Sequence, residues 1–231
     1  FLPTANVVWG SKASILVGDF LFSQSFKLIV STEIMPALVA LSNASAIIAE
    51  GEVSQLTKLE QKRLVLESEY LSIINAKTAE LFGAACAVGA IVAGRVDESE
   101  KIRNFGCRLG NIFQIADDAL DYFSDSSKVG KNIGDDFYEG KVTLPLILLN
   151  EKLSLTDSDQ LKKIVESDTR TVDHFNWVLS LMEEHNIKAE LSDYLNQLKY
   201  NALSSLENIE SKHDAKQYLN DLVEFAISRS Y

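Results

Sequence analysis

Apolar residues recur at helical spacing along almost the whole chain, and this periodicity limits the possible fold more than any other feature. Only 3 prolines and 11 glycines occur among the 231 residues, whereas all-β folds need frequent turn residues. The pattern predicts helices over residues 11–31, 36–59, 67–94, 98–123 and 143–153, and shorter ones near 157–167, 171–185, 187–209 and 213–229. We therefore expect an all-α fold in which residues 1–231 form a single-domain helical bundle.

Charge and apolar run length exclude several classes of protein. The formal net charge is −11, from 22 basic and 33 acidic residues, and this acidic balance argues against a nucleic-acid partner. The longest apolar run, residues 81–94, has 14 residues, whereas a membrane-spanning helix needs about 20. We therefore expect no spanning segment. The two cysteines lack metal-ligand spacing, which favours free thiols in a reducing compartment.

Three aspartates interrupt the apolar sequence IADDALDYF, residues 115–123, near the predicted end of the fourth helix. Asp117 and Asp121 are four residues apart, so they share a helix face and repel each other by about 0.2–0.5 kcal/mol. The negative end of the helix dipole adds to this cost. The pattern is that of either a solvated acidic helix end or a metal site, and the apolar neighbours favour the metal. Carboxylate oxygens without histidine or cysteine favour Mg²⁺ over zinc.

Lysine and glycine residues follow the aspartates directly. The segment 124–141 contains Lys131 and Lys141 beside three glycines, and such loops suit phosphate because glycine allows close backbone approach and lysine supplies charge. In the third predicted helix, Lys77 lies in the sequence IINAKTAELF. A buried lysine there needs an anionic partner, although its ammonium group could equally extend to water.

Several long motifs resemble one family in the same order along the chain. They are FQIADDALDYFSDSSKVGKNIGDDFYEGKVTLPLI (113–147), PTANVVWGSKASILVGDFLFSQSF (3–26), IAEGEVSQL (48–56) and EYLSIINAKTAELFGAAC (69–86). These motifs resemble those of trans-polyprenyl diphosphate synthases, most closely the long-chain branch that makes the side chains of respiratory quinones. The resemblance implies a helical bundle of the isoprenoid synthase type with a central active-site cavity.

The resemblance implies a prenyltransferase that adds isopentenyl diphosphate head to tail onto an allylic diphosphate, with Mg²⁺ as its cofactor. Asp117 and Asp121 would then bind Mg²⁺ on the allylic diphosphate, with Asp118 in or next to that metal shell. The lysines that would neutralise the departing diphosphate are Lys77, Lys131 and Lys141. The residues that would face the reacting allylic centre are Thr78 and Gln114.

The resemblance also implies a homodimer that works in the cytoplasm and contacts the membrane peripherally through its lipid product. One family feature is missing, because only Phe1 and Leu2 precede the PTAN motif, where the family has its first aspartate-rich motif upstream. We expect that this N-terminal portion lies outside the sequence given. Two alternatives remain open: a non-catalytic partner subunit of a heteromeric synthase, and a terpene cyclase on the same bundle.

Overall fold

The structure, a computed structural model, describes residues 3–123, 133–207, 209–210 and 214–228. Its helices are α1 (Ala5–Ser31), α2 (Met35–Glu60), α3 (Glu67–Ile74), α4 (Glu80–Val92), α5 (Ser99–Phe123), α6 (Asp135–Glu139), α7 (Leu144–Lys152), α8 (Leu155–Glu166), α9 (Val172–Glu184), α10 (Ile187–Ser204) and α11 (Ala215–Ser228). Within these described ranges there is no β-strand. The predicted all-α fold is confirmed.

Most predicted helices are present, but the third is divided. A π-helical segment, Asn75–Ala79, separates α3 from α4 within the predicted span 67–94. One extra residue per turn does not disturb the apolar spacing enough to be read from sequence, and such segments often occur at functional sites. The five-residue helix α6 was also not predicted, since it lies between two glycines, Gly134 and Gly140, in the segment expected to be a loop.

Helix α5 is the centre of the fold and contacts α3, α4, α6, α7, α10 and α11. Its core-facing side chains include Ile112 and Ile115, which are fully buried. Beside it, α7 is buried from Leu144 through Leu149 because residues on all its sides meet other helices. A helix that is apolar all round belongs in a core rather than at a surface. Helix α7 therefore packs inside the protein against α5.

Glycines bring α4 and α5 into close contact. A Cβ atom placed on Gly106 would lie 2.5 Å from the carbonyl oxygen of Phe82 and 2.8 Å from the Sγ atom of Cys86. Gly83 faces Cys107 in the same way across the helix pair. Both cysteines are free thiols, as predicted, and both are half-buried. The small residues therefore set the distance between the two helices.

We expect Gly106→Ala to lower the free energy of unfolding by about 1–3 kcal/mol, since the added methyl group overpacks a backbone contact. Gly89→Ala in α4 is the matched control, because a Cβ there would meet no described atom within 4 Å and should stabilise the helix by up to about 1 kcal/mol. Denaturant unfolding of both variants measures the difference. Equal effects would show that the close contact does not constrain the helix pair.

Helix α1 presents apolar side chains to solvent. In the part of the chain that the structure describes, no residue of α1 is buried, and Trp9, Phe20 and Phe22 are each more than half exposed. The helix is broken at Gly10, which has a φ of +78°. Large apolar side chains exposed together along one helix are typical of an interaction site.

Two stretches, Ala5–Ser31 and Glu67–Val92, have the length and mean hydropathy, 1.4 and 1.2, of a membrane-spanning helix. Both helices are longer than the uninterrupted apolar run on which the prediction was based, because a helix with scattered polar residues can still be apolar on average. In the second stretch 33% of the most apolar window is buried inside the protein. Core helices satisfy the same criterion, so length and composition alone identify no span.

Candidate active site

Asp118 is a fully buried carboxylate near the C-terminal end of α5. Its Oδ2 atom accepts a hydrogen bond from the Tyr70 hydroxyl at 2.7 Å. Its Oδ1 atom accepts from Gln114 Nε2 at 2.9 Å and from Lys141 Nζ at 3.0 Å. Burial raises the pKa of Asp118, while the charge of Lys141 opposes that rise. Both oxygens are therefore occupied by groups of the protein itself.

The turn after α6 brings Lys141 back toward α5. Gly140 ends α6 with a φ of +87°, and the Lys141 N–H donates to the carbonyl oxygen of Asp136 at 2.9 Å. The ammonium group then contacts Asp136 at 2.9 Å as well as Asp118. Burial lowers the pKa of Lys141, but the two carboxylates outweigh burial and raise the pKa overall. Lys141 is thus a charged lysine held between two acids.

The π-helical segment places Thr78 opposite α5. Its hydroxyl donates to Gln114 Oε1 at 2.8 Å, and the amide of Gln114 in turn donates to Asp118. The structure therefore joins Thr78, Gln114, Asp118 and Lys141, four of the residues expected at the site, in one hydrogen-bonded chain. Each donor fixes the orientation of the next acceptor, so the amide of Gln114 cannot rotate freely.

Lys77, the residue before Thr78 in the π-helical segment, pairs with α2 instead. Its Nζ atom donates to Gln55 Oε1 at 3.0 Å and lies 3.3 Å from Glu52 Oε1. The Lys77 side chain is 33% exposed, so both interpretations of the sequence apply in part: Lys77 has an anionic partner, and part of its side chain is in contact with solvent. A cavity beside these residues is lined by Lys77, Tyr70, Gln114 and Lys141, among others.

Asp121 lies beside Asp136 at the end of α5. Its Oδ2 atom accepts the Asp136 N–H at 3.1 Å, and its carbonyl oxygen accepts the Gly134 N–H at 2.9 Å. Burial, together with the nearby negative charge of Asp136, raises the pKa of Asp121 to about 6. Asp117 is half-buried one turn earlier on the same helix. The expected ligands Asp117 and Asp121 therefore share this end of α5.

The acidic end of α5 fits a cation that is bound partly by other molecules. Among the described residues, no three histidine, cysteine or carboxylate side chains are clustered so as to enclose a metal ion by themselves. Mg²⁺ commonly takes only one or two protein carboxylates and completes its shell with water and phosphate oxygens. The unfavourable charge around Asp121 is of the kind that such a cation relieves. Lys131, also expected here, lies outside the described residues.

We expect Asp121→Asn to raise the free energy of unfolding by about 1 kcal/mol at pH 7 without metal. A folded-state pKa raised from 3.8 to about 6 means that ionisation lowers the stability of the folded state as the pH rises from about 4 to about 6, and that the full loss remains above pH 6. The pKa shift of Asp121 would correspond to about 3 kcal/mol of unfolding free energy. Solvent screening of this partly exposed group reduces that value. Asparagine can still accept the Asp136 N–H.

Urea unfolding with a chelator present measures this gain, with Asp193→Asn on the exposed side of α10 as the control. The gain should be full above pH 6 and absent below about pH 4, where both wild-type states are protonated. A gain that persisted at pH 3.5 would contradict the charge-repulsion account.

Tyr70 and Asp136 are site residues that the sequence did not identify. Tyr70 precedes Asp118 by 48 residues, so no local pattern links them. Asp136 lies in the quoted motif 113–147, five residues before Lys141. An acid so close to a proposed phosphate-binding lysine could have identified it as a site residue. Gln55 and Glu52 belong to the IAEGEVSQL motif, to which no role was assigned.

Comparison with known proteins shows the family to which the chain is similar. The family model described as polyprenyl synthetase matches residues 2–182. The chain is 35% identical over 231 residues to the octaprenyl diphosphate synthase of Haemophilus influenzae, covering 99% of this chain and 69% of that protein. It is 44% identical over 163 residues to the all-trans-nonaprenyl-diphosphate synthase (geranyl-diphosphate specific) of Rhodobacter capsulatus, covering 71% of this chain and 50% of that protein.

A solved structure agrees with these relatives. The polyprenyl synthase of Caulobacter crescentus, solved in complex with calcium and isoprenyl diphosphate, superposes with a TM-score of 0.89 at 40% sequence identity, covering 98% of this chain and 69% of that one. The resemblance drawn from the motifs is confirmed. The relatives are by name polyprenyl diphosphate synthases, the class of prenyltransferase that the motifs predict.

Proposed function

The chain belongs to the polyprenyl synthetase family, and we propose that the full-length protein joins isopentenyl diphosphate head to tail to an allylic diphosphate. The product is a long-chain polyprenyl diphosphate. The observation that carries the proposal is the end of α5, where Asp118 is anchored by Tyr70 and Lys141 beside two further aspartates. This is a fixed set of charges next to a cavity, as ionisation of a diphosphate requires.

Asp117 and Asp121 are the proposed ligands of Mg²⁺ on the allylic diphosphate. Burial and the charge of Asp136 raise the pKa of Asp121 to about 6. A bound cation would relieve this repulsion, which supports the assignment of Asp121 as a metal ligand. Asp118 is proposed to stand next to the metal shell rather than in it, since Tyr70 and Lys141 already occupy both its oxygens. When bound, Mg²⁺ stabilises the negative charge that develops on the leaving diphosphate.

Lys141, Lys77 and Lys131 are proposed to neutralise the same diphosphate. Lys141 is charged and held in position by two acids, so it need not reorganise as the allylic carbon–oxygen bond breaks. Thr78 and Gln114 are proposed to face the reacting allylic carbon, where their joined dipoles are fixed by Asp118. The allylic carbocation needs a largely apolar surrounding that excludes water, and the apolar lining of the cavity includes Ile73, Ile74 and Val142.

We propose further that the protein is a homodimer. The support is α1, where Trp9, Phe20 and Phe22 are exposed in the single chain, because stable dimer interfaces are rich in aromatic side chains. Light scattering on the full-length protein should give twice the chain mass. The Phe22→Glu variant should give the mass of one chain, and a monomeric wild type would contradict the proposal.

The relatives named octaprenyl and nonaprenyl synthases support the proposal that the product supplies the side chain of a respiratory quinone. A product of that length is a lipid precursor. We therefore propose a cytoplasmic enzyme that contacts the membrane peripherally to release it.

Full-length protein incubated with farnesyl diphosphate, labelled isopentenyl diphosphate and Mg²⁺ tests the reaction, with a chelator as the control. We expect a labelled long-chain diphosphate, sized by chromatography, which is absent when Mg²⁺ is removed. A hydrocarbon formed from the allylic substrate alone would instead indicate a terpene cyclase. Diphosphate binding without any product would indicate the non-catalytic partner subunit.

A further inference from the structure

The connection between α8 and α9, residues 167–171, contacts both sides of the cavity. On one side Asp168 forms an ion pair with Lys62, which follows α2 and lines the cavity. On the other side the guanidinium group of Arg170 lies against Gly140, which lines the cavity beside Lys141. This short connection therefore contacts two residues that line the cavity, although it does not line the cavity itself.

Arg170 is held by packing and by a backbone carbonyl. Its Nη2 atom donates to the carbonyl oxygen of Val165 at 2.6 Å, and the side chain is half-buried, which lowers the pKa of Arg170. Within the described ranges it has no carboxylate at salt-bridge distance. Asp168 on the same connection attracts its charge, but the groups that hold the guanidinium in place are the carbonyl oxygen of Val165 and the turn at Gly140.

Gly140 is shaped to receive that guanidinium. Its φ of +87° lies in the left-handed region, and an added Cβ would be 2.7 Å from Nη1 and 3.0 Å from Nη2 of Arg170. A side chain at position 140 would therefore displace either the turn or the arginine. The turn matters because it directs Lys141, the next residue, toward Asp118 and Asp136.

We infer that Arg170 is a positioning residue that holds the Gly140 turn and thereby sets the Nζ atom of Lys141 relative to the diphosphate. It does not touch the substrate itself. The inference rests on the proposed function, because Lys141 is the group through which Arg170 acts. Displacement of such a group by about 1 Å can cost about a hundredfold in rate.

A double-mutant cycle in the full-length enzyme tests this role, using Arg170→Met, Lys141→Met and the double variant. Arg170→Met should lower kcat/KM for the allylic diphosphate by roughly 10- to 100-fold, and Lys141→Met by about 100- to 1,000-fold. The double variant should be no worse than Lys141→Met alone, since Arg170 has no other route to the reaction. Lys163→Met, an exposed lysine on α8, is the control and should change nothing.

Losses that multiply in the double variant would overturn the inference, because a purely structural role of Arg170 would act independently of Lys141. Arg170→Lys keeps the charge without the planar group and provides the same cycle if Arg170→Met does not fold. The cycle is also measured as the Kd of inorganic pyrophosphate with Mg²⁺. If the wild type binds pyrophosphate but makes no product, the proposed reaction fails while the Kd cycle still decides the role of Arg170. Wild type that binds no pyrophosphate overturns both.

Discussion

Asp117→Ala in the full-length enzyme is expected to lower kcat by about a thousandfold or more while the helix content stays unchanged. A metal bound to the leaving group contributes several kcal/mol of transition-state stabilisation, and about 4 kcal/mol corresponds to a thousandfold in rate. Asp117 is half-buried at the end of α5, so its removal should leave the core intact. Steady-state kinetics and circular dichroism on the same preparation measure the two quantities.

Asp193→Ala is the matched control, because Asp193 is an exposed acid in the middle of α10. It should retain full activity and a full dependence on Mg²⁺. Near wild-type turnover in Asp117→Ala would exclude this carboxylate as a metal ligand and would leave Asp121 without its proposed partner.

Asp118→Ala is expected to act on stability, lowering the free energy of unfolding by about 3–5 kcal/mol. The carboxylate accepts from Tyr70, Gln114 and Lys141, so alanine leaves a buried hydroxyl, an amide and an ammonium group with fewer partners. Removing one partner of a buried ion pair costs far more than the pair contributed, and Lys141 is left with Asp136 as its one carboxylate partner among the described residues. The midpoint of guanidinium unfolding measures the loss.

Asp118→Asn keeps an oxygen acceptor and should lose less stability than alanine does. The double variant Asp118→Leu with Lys141→Met removes both charges and should recover most of the stability, although not the activity. If the free energy of unfolding of Asp118→Ala lay within about 1 kcal/mol of the wild-type value, the buried hydrogen-bond network would not be what stabilises the end of α5.

Helical periodicity predicted the fold well because α4, α10 and α11 each pack one face on α5. It could not predict the π-helical segment Asn75–Ala79, whose single extra residue turns Thr78 toward Gln114 while the overall apolar spacing persists. It also missed α6, since five residues are fewer than two helical turns and the flanking glycines indicate a loop.

The site was predicted as a set of residues but not as an arrangement. Three aspartates in one helix were all read as candidates for metal binding, yet their burial differs: Asp118 is fully enclosed, whereas Asp117 and Asp121 are not. That difference comes from Tyr70 and Lys141, which reach α5 from distant parts of the chain. Long-range partners of this kind are set by tertiary packing and leave no local spacing in the sequence.

A crystal structure of the full-length protein with Mg²⁺ and a non-ionisable analogue of an allylic diphosphate tests the central claim most directly. We expect Mg²⁺ bridging the diphosphate to Asp117 and Asp121, with Lys141 Nζ between Asp118 and a diphosphate oxygen. A diphosphate bound away from α5, or a metal that does not contact these two aspartates, would contradict the account.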